Sequence, residues 1–329
     1  MWHANPVTST QPFTLKAAAG LDNDIDIEIY VHRWLPSGPV KAVVQIVHGL
    51  AEHAGRYSRL AAALNGLGYA VYASDLRGHG KTAKSWEDLG FFAAKDGWRK
   101  CLDDLWQVNR NAASAHPGLP IVLLGHSMGA TFARQLIAEH GDSLSGVVLS
   151  GSSGQPNALA QSGRVTARLE CLRLGQRGKS KLIQSLTFDA FNKRFQPGRT
   201  RFDWLSRDTA EVDKYVADPL CGFAASTQLW IDMLDAWAAI ARSCNRIPRN
   251  LPIYVISGTH DPVSAGAKAV MPMLEQFRTA GLSVESKFYP EARHELLNET
   301  NRDEVTADLI RWISLILENL PKGDRAIGL

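Results

Sequence analysis

The chain has 329 residues, of which 45% are apolar and 21% are charged, and its formal net charge is +3. This balance is typical of a globular protein with a large buried core, and the length suits one α/β core with an insertion. So small a charge excludes a general nucleic-acid binder, so we expect no nucleic-acid partner.

The first stretch, MWHANPVTSTQPFTLKAAAG, lacks a basic start followed by an apolar run, so we expect no signal peptide. Strands are then predicted at EIYVHRWL, AVVQIVHG, YAVYASD, IVLLG and GVVLSG, with helical patterns between most of them. The alternation resumes later with the strands PIYVISG and VESKFYP and a closing amphipathic helix. Several middle strands are apolar on both faces, which is typical of a mostly parallel sheet covered by helices on two sides.

Between about residues 154 and 250 the alternation stops, and the sequence becomes helical, aromatic and charged. An insertion after a central strand lies above the carboxyl edge of the sheet, where open α/β folds bind ligands. We therefore predict a core formed by residues 1–153 and 251–329, with a helical cap over residues 154–250.

The stretch GHSMG places Ser127 between two glycines, directly after the strand IVLLG and before a helical pattern. A serine hydroxyl is a poor nucleophile unless a base removes its proton. In the pattern G-x-S-x-G the serine lies on a sharp strand-to-helix turn, for which Gly125 and Gly129 leave room. We therefore predict that Ser127 is a nucleophile.

An acid and a base are predicted on two later loops. With this nucleophile turn, the chain order is serine, acid, histidine, each at the carboxyl edge of the sheet. Asp261 follows the strand PIYVISG, and His294 follows the strand VESKFYP. We predict Asp261 as the acid and His294 as the base, with Asp75 as the second choice for the acid. Asp261 could instead serve only as the cap of a helix, and His260 stays unassigned.

Metal and cofactor chemistry has little support in the sequence. HELLN lacks the second histidine of the zinc-binding pattern H-E-x-x-H. The four cysteines show no C-x-x-C spacing, which argues against a zinc cage and against a disulfide framework. We predict no metal and no cofactor, and we expect the protein in the reducing cytoplasm.

The oxyanion of an acyl-transfer intermediate needs two N–H donors. The residue after the nucleophile, Met128, supplies one from a helix N-terminus, where the helix dipole favours negative charge. The loop HGLAEHAGRY, residues 48–57 and here called the oxyanion loop, should supply the other donor, because Gly49 allows close approach of the backbone. We predict the N–H group of Leu50 as this donor.

Taken together, HGLAEHAGRY, DLRGHG, GHSMG, SGTHDPV and the late histidine resemble the monoacylglycerol lipase and lysophospholipase group of α/β-hydrolases. The resemblance covers about residues 40–300, cap included. It implies the α/β-hydrolase fold and a serine hydrolase of carboxylic esters, with nucleophile, acid and base at Ser127, Asp261 and His294. Ala51 departs from the group, which often has a second glycine in this loop.

Two polar stretches near the predicted site admit more than one role. Glu52, His53 and Arg56 fit either a buried network that holds the oxyanion loop, which we favour, or contact with a polar alcohol moiety. Glu52 and Arg56 are therefore also our candidate substrate-binding residues. DLRGHGKT lacks the first glycine of a phosphate-binding loop. The family resemblance implies that this stretch is structural and braces the loop beneath the active site, and we interpret Asp75, Arg77 and His79 in this way.

The predicted cap is basic and aromatic. Residues 161–201 contain ten lysines and arginines against two acidic residues, a local net charge of +8. This segment fits either contact with an anionic bilayer or, as we favour, a solvated face. A later apolar group fits an acyl pocket or simple packing on the sheet: Phe223, Leu229, Trp230, Ile231, Met233, Leu234 and Trp237.

These observations predict a serine hydrolase of lipid esters, of the monoacylglycerol or lysophospholipid type, that works through an acyl-enzyme. A thioesterase, a peptidase or a perhydrolase would use the same triad. A small-molecule receptor with an idle triad fits the fold equally well, because fold does not settle function. The expected partner is a lipid ester, the expected location is the cytoplasm with peripheral membrane contact left open, and the oligomeric state is not fixed by the sequence.

Overall fold

The computed structural model describes residues 9–17, 27–156 and 158–320. Most of the N-terminal stretch on which we based the expected absence of a signal peptide lies outside these residues. In the part of the chain described, no helix is both long enough and apolar enough to cross a bilayer.

Nine strands of the described chain form one sheet. The strands are β1 Ser9–Thr10, β2 Phe13–Lys16, β3 Glu28–Leu35, β4 Ala42–Val47, β5 Tyr69–Ser74, β6 Ile121–His126, β7 Gly146–Ser150, β8 Ile253–Gly258 and β9 Val284–Tyr289. Their order in the sheet is β1-β3-β5-β4-β6-β7-β8-β9, with β2 paired to β3. The pairs from β5 to β9 are parallel, whereas β1, β2 and β5 each pair with β3 in antiparallel fashion.

Helices cover both faces of the sheet, and alternate strand residues face one layer or the other. The core helices are α1 Ser58–Asn65, α2 Gly97–Ala115, α3 Met128–His140, α9 Met271–Thr279 and α10 Arg302–Glu318. In β6, Val122 and Leu124 pack with α1 and α10, whereas Leu123 packs with α2, α3 and α9. A strand buried on both faces needs a continuous apolar run, which is why these strands could be predicted.

The segment between β7 and β8 forms no strand in its described residues and carries five helices. The last of them packs against α4 and also against the core helices α2 and α3, so the cap is joined to the core along its final helix. The division of the chain at residues 153 and 250 stays a prediction. The cap helices are α4 Ala158–Leu174, α5 Lys181–Leu186, α6 Phe188–Asn192, α7 Thr209–Ala217 and α8 Thr227–Ile240.

Candidate active site

Ser127 lies at the junction between β6 and α3, in a backbone conformation with φ 54° and ψ −117° that is strained for a residue with a side chain. The two flanking glycines make this turn sterically feasible. A Cβ atom on Gly129 would lie 2.1 Å from the carbonyl oxygen of Val47, and one on Gly125 would lie 2.3 Å from the carbonyl oxygen of Gly129. The turn is therefore packed, backbone against backbone, on the end of β4.

The structure brings Ser127, His294 and Asp261 together. His294 Nε2 lies 2.9 Å from Ser127 Oγ, and His294 Nδ1 lies 3.0 Å from Asp261 Oδ1. Because a carboxylate only accepts hydrogen bonds, Nδ1 carries the proton and Nε2 is free to accept one from the serine. Asp261 is fully buried, and the Val263 N–H group also donates to its Oδ1 at 2.9 Å.

The electrostatics of this group suit a base that becomes charged during the reaction. Burial works to lower the pKa of His294, but the negative charge of Asp261 and its hydrogen bond outweigh burial and raise that pKa above its usual value. Asp261 therefore favours the protonated form of the buried His294 ring.

The two predicted oxyanion donors flank the serine. Among the described residues, the N–H groups of Leu50 and Met128 make no hydrogen bond with the chain, and Met128 is the first residue of α3. A Cβ atom on Gly49 would lie 3.2 Å from Ser127 Cβ, which shows how closely this loop approaches Ser127. Ala51, which follows Leu50, has a positive φ of 58°, a conformation that glycine adopts more readily.

The cap holds this oxyanion loop from outside. The carbonyl oxygen of Ala51 accepts hydrogen bonds from Tyr215 Oη at 2.8 Å and from the Gly222 N–H group at 2.9 Å. Nearby, His53 Nε2 lies 2.8 Å from Asp218 Oδ2, again between loop and cap. The position of the oxyanion loop is thus coupled to that of the cap.

Glu52 and Arg56 face into a buried network. Glu52 Oε1 accepts hydrogen bonds from the Gly49 N–H group at 2.6 Å and from Tyr57 Oη at 3.0 Å. Arg56 binds Glu295 through both terminal nitrogens, each at 2.6 Å, and also reaches Glu52 Oε2. Although burial alone would raise the pKa of Glu52, the Arg56 guanidinium holds it at about 2. These contacts support the loop-holding role, and substrate contact by either residue stays a prediction.

Asp75, the second choice for the acid, is engaged elsewhere. Its carboxylate accepts hydrogen bonds from the Ala54 and Lys81 N–H groups, each at 2.8 Å. Arg77 forms a buried ion pair with Asp104 at 2.6 Å, and burial lowers the pKa of His79 to about 3. Asp75 therefore holds the backbone of the oxyanion loop at Ala54, a contact that favours the structural interpretation of this stretch.

Sequence reasoning missed two rings that pack on the His294 imidazole. His126 lies with its ring centroid 4.8 Å away, and burial together with the charge of His294 lowers its pKa to about 4. Trp204, from the cap, lies 5.0 Å away on centroids. His126 occupies a variable position of the motif G-x-S-x-G, for which no role was predicted. Trp204 is ninety residues from His294 in sequence, so no local pattern connects the two. His260, left unassigned, is exposed.

The apolar residues predicted for an acyl pocket mainly pack on the core. Leu229 and Trp230 of α8 are buried in the cluster that includes α2, α3 and α9. Trp237 donates through Nε1 to the carbonyl oxygen of Gly154 at 3.0 Å. These contacts favour the packing interpretation for this part of α8.

The described residues contain two groups of side chains that could hold a metal. One comprises His32, His53 and Asp75, the other His53, Asp218 and Cys221, with potential ligand atoms within 4.8 Å of one another. The Asp75 carboxylate is already bound to two backbone amides, and His53 to Asp218. Neither group includes a residue of the serine–histidine–aspartate arrangement.

Ion pairs neutralise part of the positive charge of the basic cap segment, residues 161–201. Six of its arginines form ion pairs with acidic side chains: Arg164, Arg168, Arg173, Arg177, Arg199 and Arg201. The same segment exposes apolar side chains: Val165, Leu169, Leu172, Leu174, Leu182 and Leu186. The solvated face that we favoured is thus apolar as well as charged.

The chain is similar to a described protein family and to lipases of that kind. The family described as serine aminopeptidase, S33, matches residues 38–301. A monoglyceride lipase homolog of monkeypox virus is 30% identical over 309 residues, 92% of this chain and 97% of that protein. The monoacylglycerol lipase of Mycolicibacterium smegmatis is 30% identical over 296 residues, 87% of this chain and 93% of that protein.

Solved structures agree with the sheet and its helices. A thermostable carboxyl esterase from Bacillus coagulans, in complex with glycerol, superposes with a TM-score of 0.85 at 27% identity, covering 94% of this chain and 99% of the esterase. A soluble variant of monoglyceride lipase from Saccharomyces cerevisiae gives a TM-score of 0.68 at 19% identity, covering 95% and 96%. The predicted α/β-hydrolase fold is confirmed.

Proposed function

Since the chain belongs to the α/β-hydrolase family described as serine aminopeptidase, S33, and is a carboxylic ester hydrolase, we propose that it cleaves monoacylglycerols or lysophospholipid-type esters. The observation that carries the proposal is the continuous hydrogen-bonded arrangement of Ser127, His294 and Asp261 at the strained turn. The monoglyceride and monoacylglycerol lipases among its relatives support the choice of substrate class.

In the proposed mechanism, Ser127 Oγ attacks the ester carbonyl while His294 Nε2 takes the serine proton. The negative oxygen of the tetrahedral intermediate accepts hydrogen bonds from the N–H groups of Leu50 and Met128. His294 then gives its proton to the departing alcohol, which leaves an acyl group on Ser127. Water, deprotonated by the same histidine, attacks this acyl group and releases the fatty acid and the free serine.

Replacing the nucleophile tests the mechanism. We expect Ser127→Ala to reduce hydrolysis of a p-nitrophenyl acyl ester by about 10⁴-fold or more while leaving the thermal unfolding midpoint nearly unchanged. A fluorophosphonate probe should label the wild-type protein and not the variant. Retained turnover in the variant would contradict the proposal, and an unlabelled wild type would favour the receptor alternative.

The leaving group is the second point to test, because thioesters, peptides and peroxide can use the same triad. A panel of monoacylglycerols, lysophospholipids, short esters, acyl thioesters and peptide anilides should rank the lipid esters first by kcat/KM. A higher kcat/KM for a thioester or an anilide would contradict the proposed substrate class but not the proposed roles of Ser127, His294 and Asp261. Glu52 and Arg56 are second-choice contacts for the polar alcohol moiety, because both side chains are already engaged in the buried network with Gly49 and Glu295.

We also propose that the cap contacts the surface of an anionic bilayer. The observation behind this is the row of exposed apolar side chains at positions 165, 169 and 172 of α4, which lie on one helix face because they are spaced by four and three residues. Lys181, Lys193 and Arg194 in the same segment carry positive charge. Co-sedimentation with phosphatidylglycerol and phosphatidylcholine vesicles tests this proposal, and equal or absent binding to both would contradict it.

A further inference from the structure

One short piece of the cap is bound to the loop that carries His294. We call residues 203–208 the docking segment and residues 290–301 the histidine loop. The carbonyl oxygen of Leu205 accepts a hydrogen bond from the Glu295 N–H group at 2.8 Å, and that of Trp204 accepts one from the His294 N–H group at 3.4 Å. The backbone of the proposed base is therefore paired with the cap, outside any regular strand.

A single carboxylate, that of Glu299, lies where the two segments meet, and it is completely buried. Its Oε1 atom accepts hydrogen bonds from the N–H group of Arg293 at 2.9 Å and from that of Arg207 at 3.1 Å. Its Oε2 atom accepts from Arg207 Nε at 2.9 Å and from the Thr300 N–H group at 2.8 Å. The carboxylate thus joins the residue next to His294 to the docking segment.

The neighbouring arginines reinforce this junction from both sides. Arg207 extends further along the histidine loop, with Nη1 3.2 Å from Glu291 Oε2 and Nη2 3.1 Å from Asn301 Oδ1. Arg293 reaches back to the docking segment, where its Nη1 binds the carbonyl oxygens of Asp203 and Ser206. Of the acidic side chains here, only that of Glu299 touches both the His294 loop backbone and the cap within the described residues.

We propose that Glu299 is a positioning residue for His294, acting through the junction between the docking segment and the histidine loop. The carboxylate fixes the backbone on the N-terminal side of His294, and with it the distances from the imidazole to Ser127 and Asp261. Because an error of one ångström in such a geometry can cost about 100-fold in rate, loss of the carboxylate slows the chemical step. The inference rests on the proposed role of His294 as the base.

The substitution Glu299→Gln removes the charge and one acceptor oxygen while keeping the size of the side chain. We expect kcat on a p-nitrophenyl ester to fall about 10- to 100-fold, with KM changed less than about twofold, because the loss affects geometry and not binding. Fluorophosphonate labelling should slow by the same factor. The acidic limb of the kcat/KM profile should move to lower pH, because a looser Asp261–His294 contact raises the pKa of His294 less.

Glu291→Gln is the matched control. Glu291 contacts the same Arg207 side chain but is largely exposed, and it makes no contact with the Arg293 backbone. We expect it to leave kcat, labelling rate and pH profile unchanged. If Glu299→Gln lowers the unfolding midpoint but keeps the wild-type kcat and pH profile, the residue only stabilises the fold and the inference is wrong.

If Glu299→Gln does not fold, Arg207→Lys tests the same junction from the cap, because lysine keeps the charge but loses the Nε donor and the fork. The same fall in kcat at constant KM supports the inference, and wild-type kinetics overturns it. His294→Ala separates this inference from the proposed function. If His294→Ala keeps its activity, the proposed function is wrong. If His294→Ala is inactive while the junction variants stay fully active, only the positioning role of Glu299 is wrong.

Discussion

At the scale of single residues, the protonation of His294 determines the pH at which the proposed reaction runs. The base must be neutral to accept the serine proton, and Asp261 raises its pKa despite burial. Activity is therefore present above that pKa and lost as the pH falls through it. The acidic limb of kcat/KM should lie above the ordinary histidine value of about 6.5.

Asp261→Asn tests this assignment. Removal of the charge leaves burial as the dominant influence on His294, so its pKa falls and the acidic limb moves to lower pH, while kcat drops by about 10⁴-fold because the wrong tautomer is favoured. The measurement is kcat/KM on a substrate that does not titrate between pH 4 and 9. Asp75→Asn is the control, and a shift of the limb in that variant instead would make Asp75 the acid.

Gly129 gives a second prediction at this scale. A methyl group there would lie 2.1 Å from the Val47 carbonyl oxygen and 2.6 Å from that of His48, and backbone atoms at the end of a central strand cannot move aside. We expect Gly129→Ala to lower the free energy of unfolding by about 3 kcal/mol or more, as in overpacked cores, and to abolish labelling of Ser127. Urea unfolding measures the first effect.

The control for Gly129→Ala is Gly38→Ala, in which the new methyl group meets no atom within 4 Å. It should unfold within about 0.5 kcal/mol of the wild type. A fully stable and reactive Gly129→Ala protein would show that the nucleophile turn does not pack on β4 as described.

At the scale of elements, the oxyanion loop depends on the cap as well as on the core. Tyr215 of α7 holds the carbonyl oxygen of Ala51, one residue from the proposed donor Leu50. Tyr215→Phe keeps the ring and removes this hydrogen bond, worth about 1 kcal/mol, while the Gly222 N–H group still holds the carbonyl. We expect kcat to fall about fivefold and the free energy of unfolding to fall by about 1 kcal/mol.

Tyr69→Phe provides the comparison, because its hydroxyl pairs with Ser314 Oγ at 3.0 Å, outside the oxyanion loop. It should lose similar stability without any change in kcat. An equal kcat loss in both variants would mean that Tyr215 acts through general stability and not through the loop.

Elements that form through residues close together in the sequence could be predicted, whereas contacts between residues far apart in the sequence could not. The buried parallel strands were predictable because β6 or β8 needs an uninterrupted apolar run. The nucleophile turn was predictable because both of its glycines lie within two residues of Ser127. The short strands β1 and β2 were missed, since β1 has only two residues and the apolar–polar alternation of β2 extends over only four. The junction at Glu299 could not be found, because its partner Arg207 is 92 residues away.

At the scale of the whole molecule, charge in the cap has to be distinguished from exposed apolar surface. The sequence count of +8 overstates the positive charge that a membrane would meet, since Asp235 alone pairs with Arg164 and Arg168. Leu172, in contrast, is 85% exposed and Leu169 is 60% exposed. Contact with an anionic bilayer should therefore depend on these leucines as well as on electrostatic attraction to the lipid headgroups.

The double substitution Leu169→Ser and Leu172→Ser separates surface contact from chemistry. Burying an exposed leucine in an apolar phase is worth about 1.5–3 kcal/mol, so we expect binding to phosphatidylglycerol vesicles to weaken by at least about tenfold. Hydrolysis of monoacylglycerol held in vesicles should fall in parallel, whereas that of dissolved p-nitrophenyl acetate should not change. Leu315→Ser, on a half-exposed leucine of α10, is the control and should change none of these rates. If the double variant loses activity on the dissolved ester as well, these leucines serve the fold or the acyl pocket, and the cap does not bind the bilayer through them.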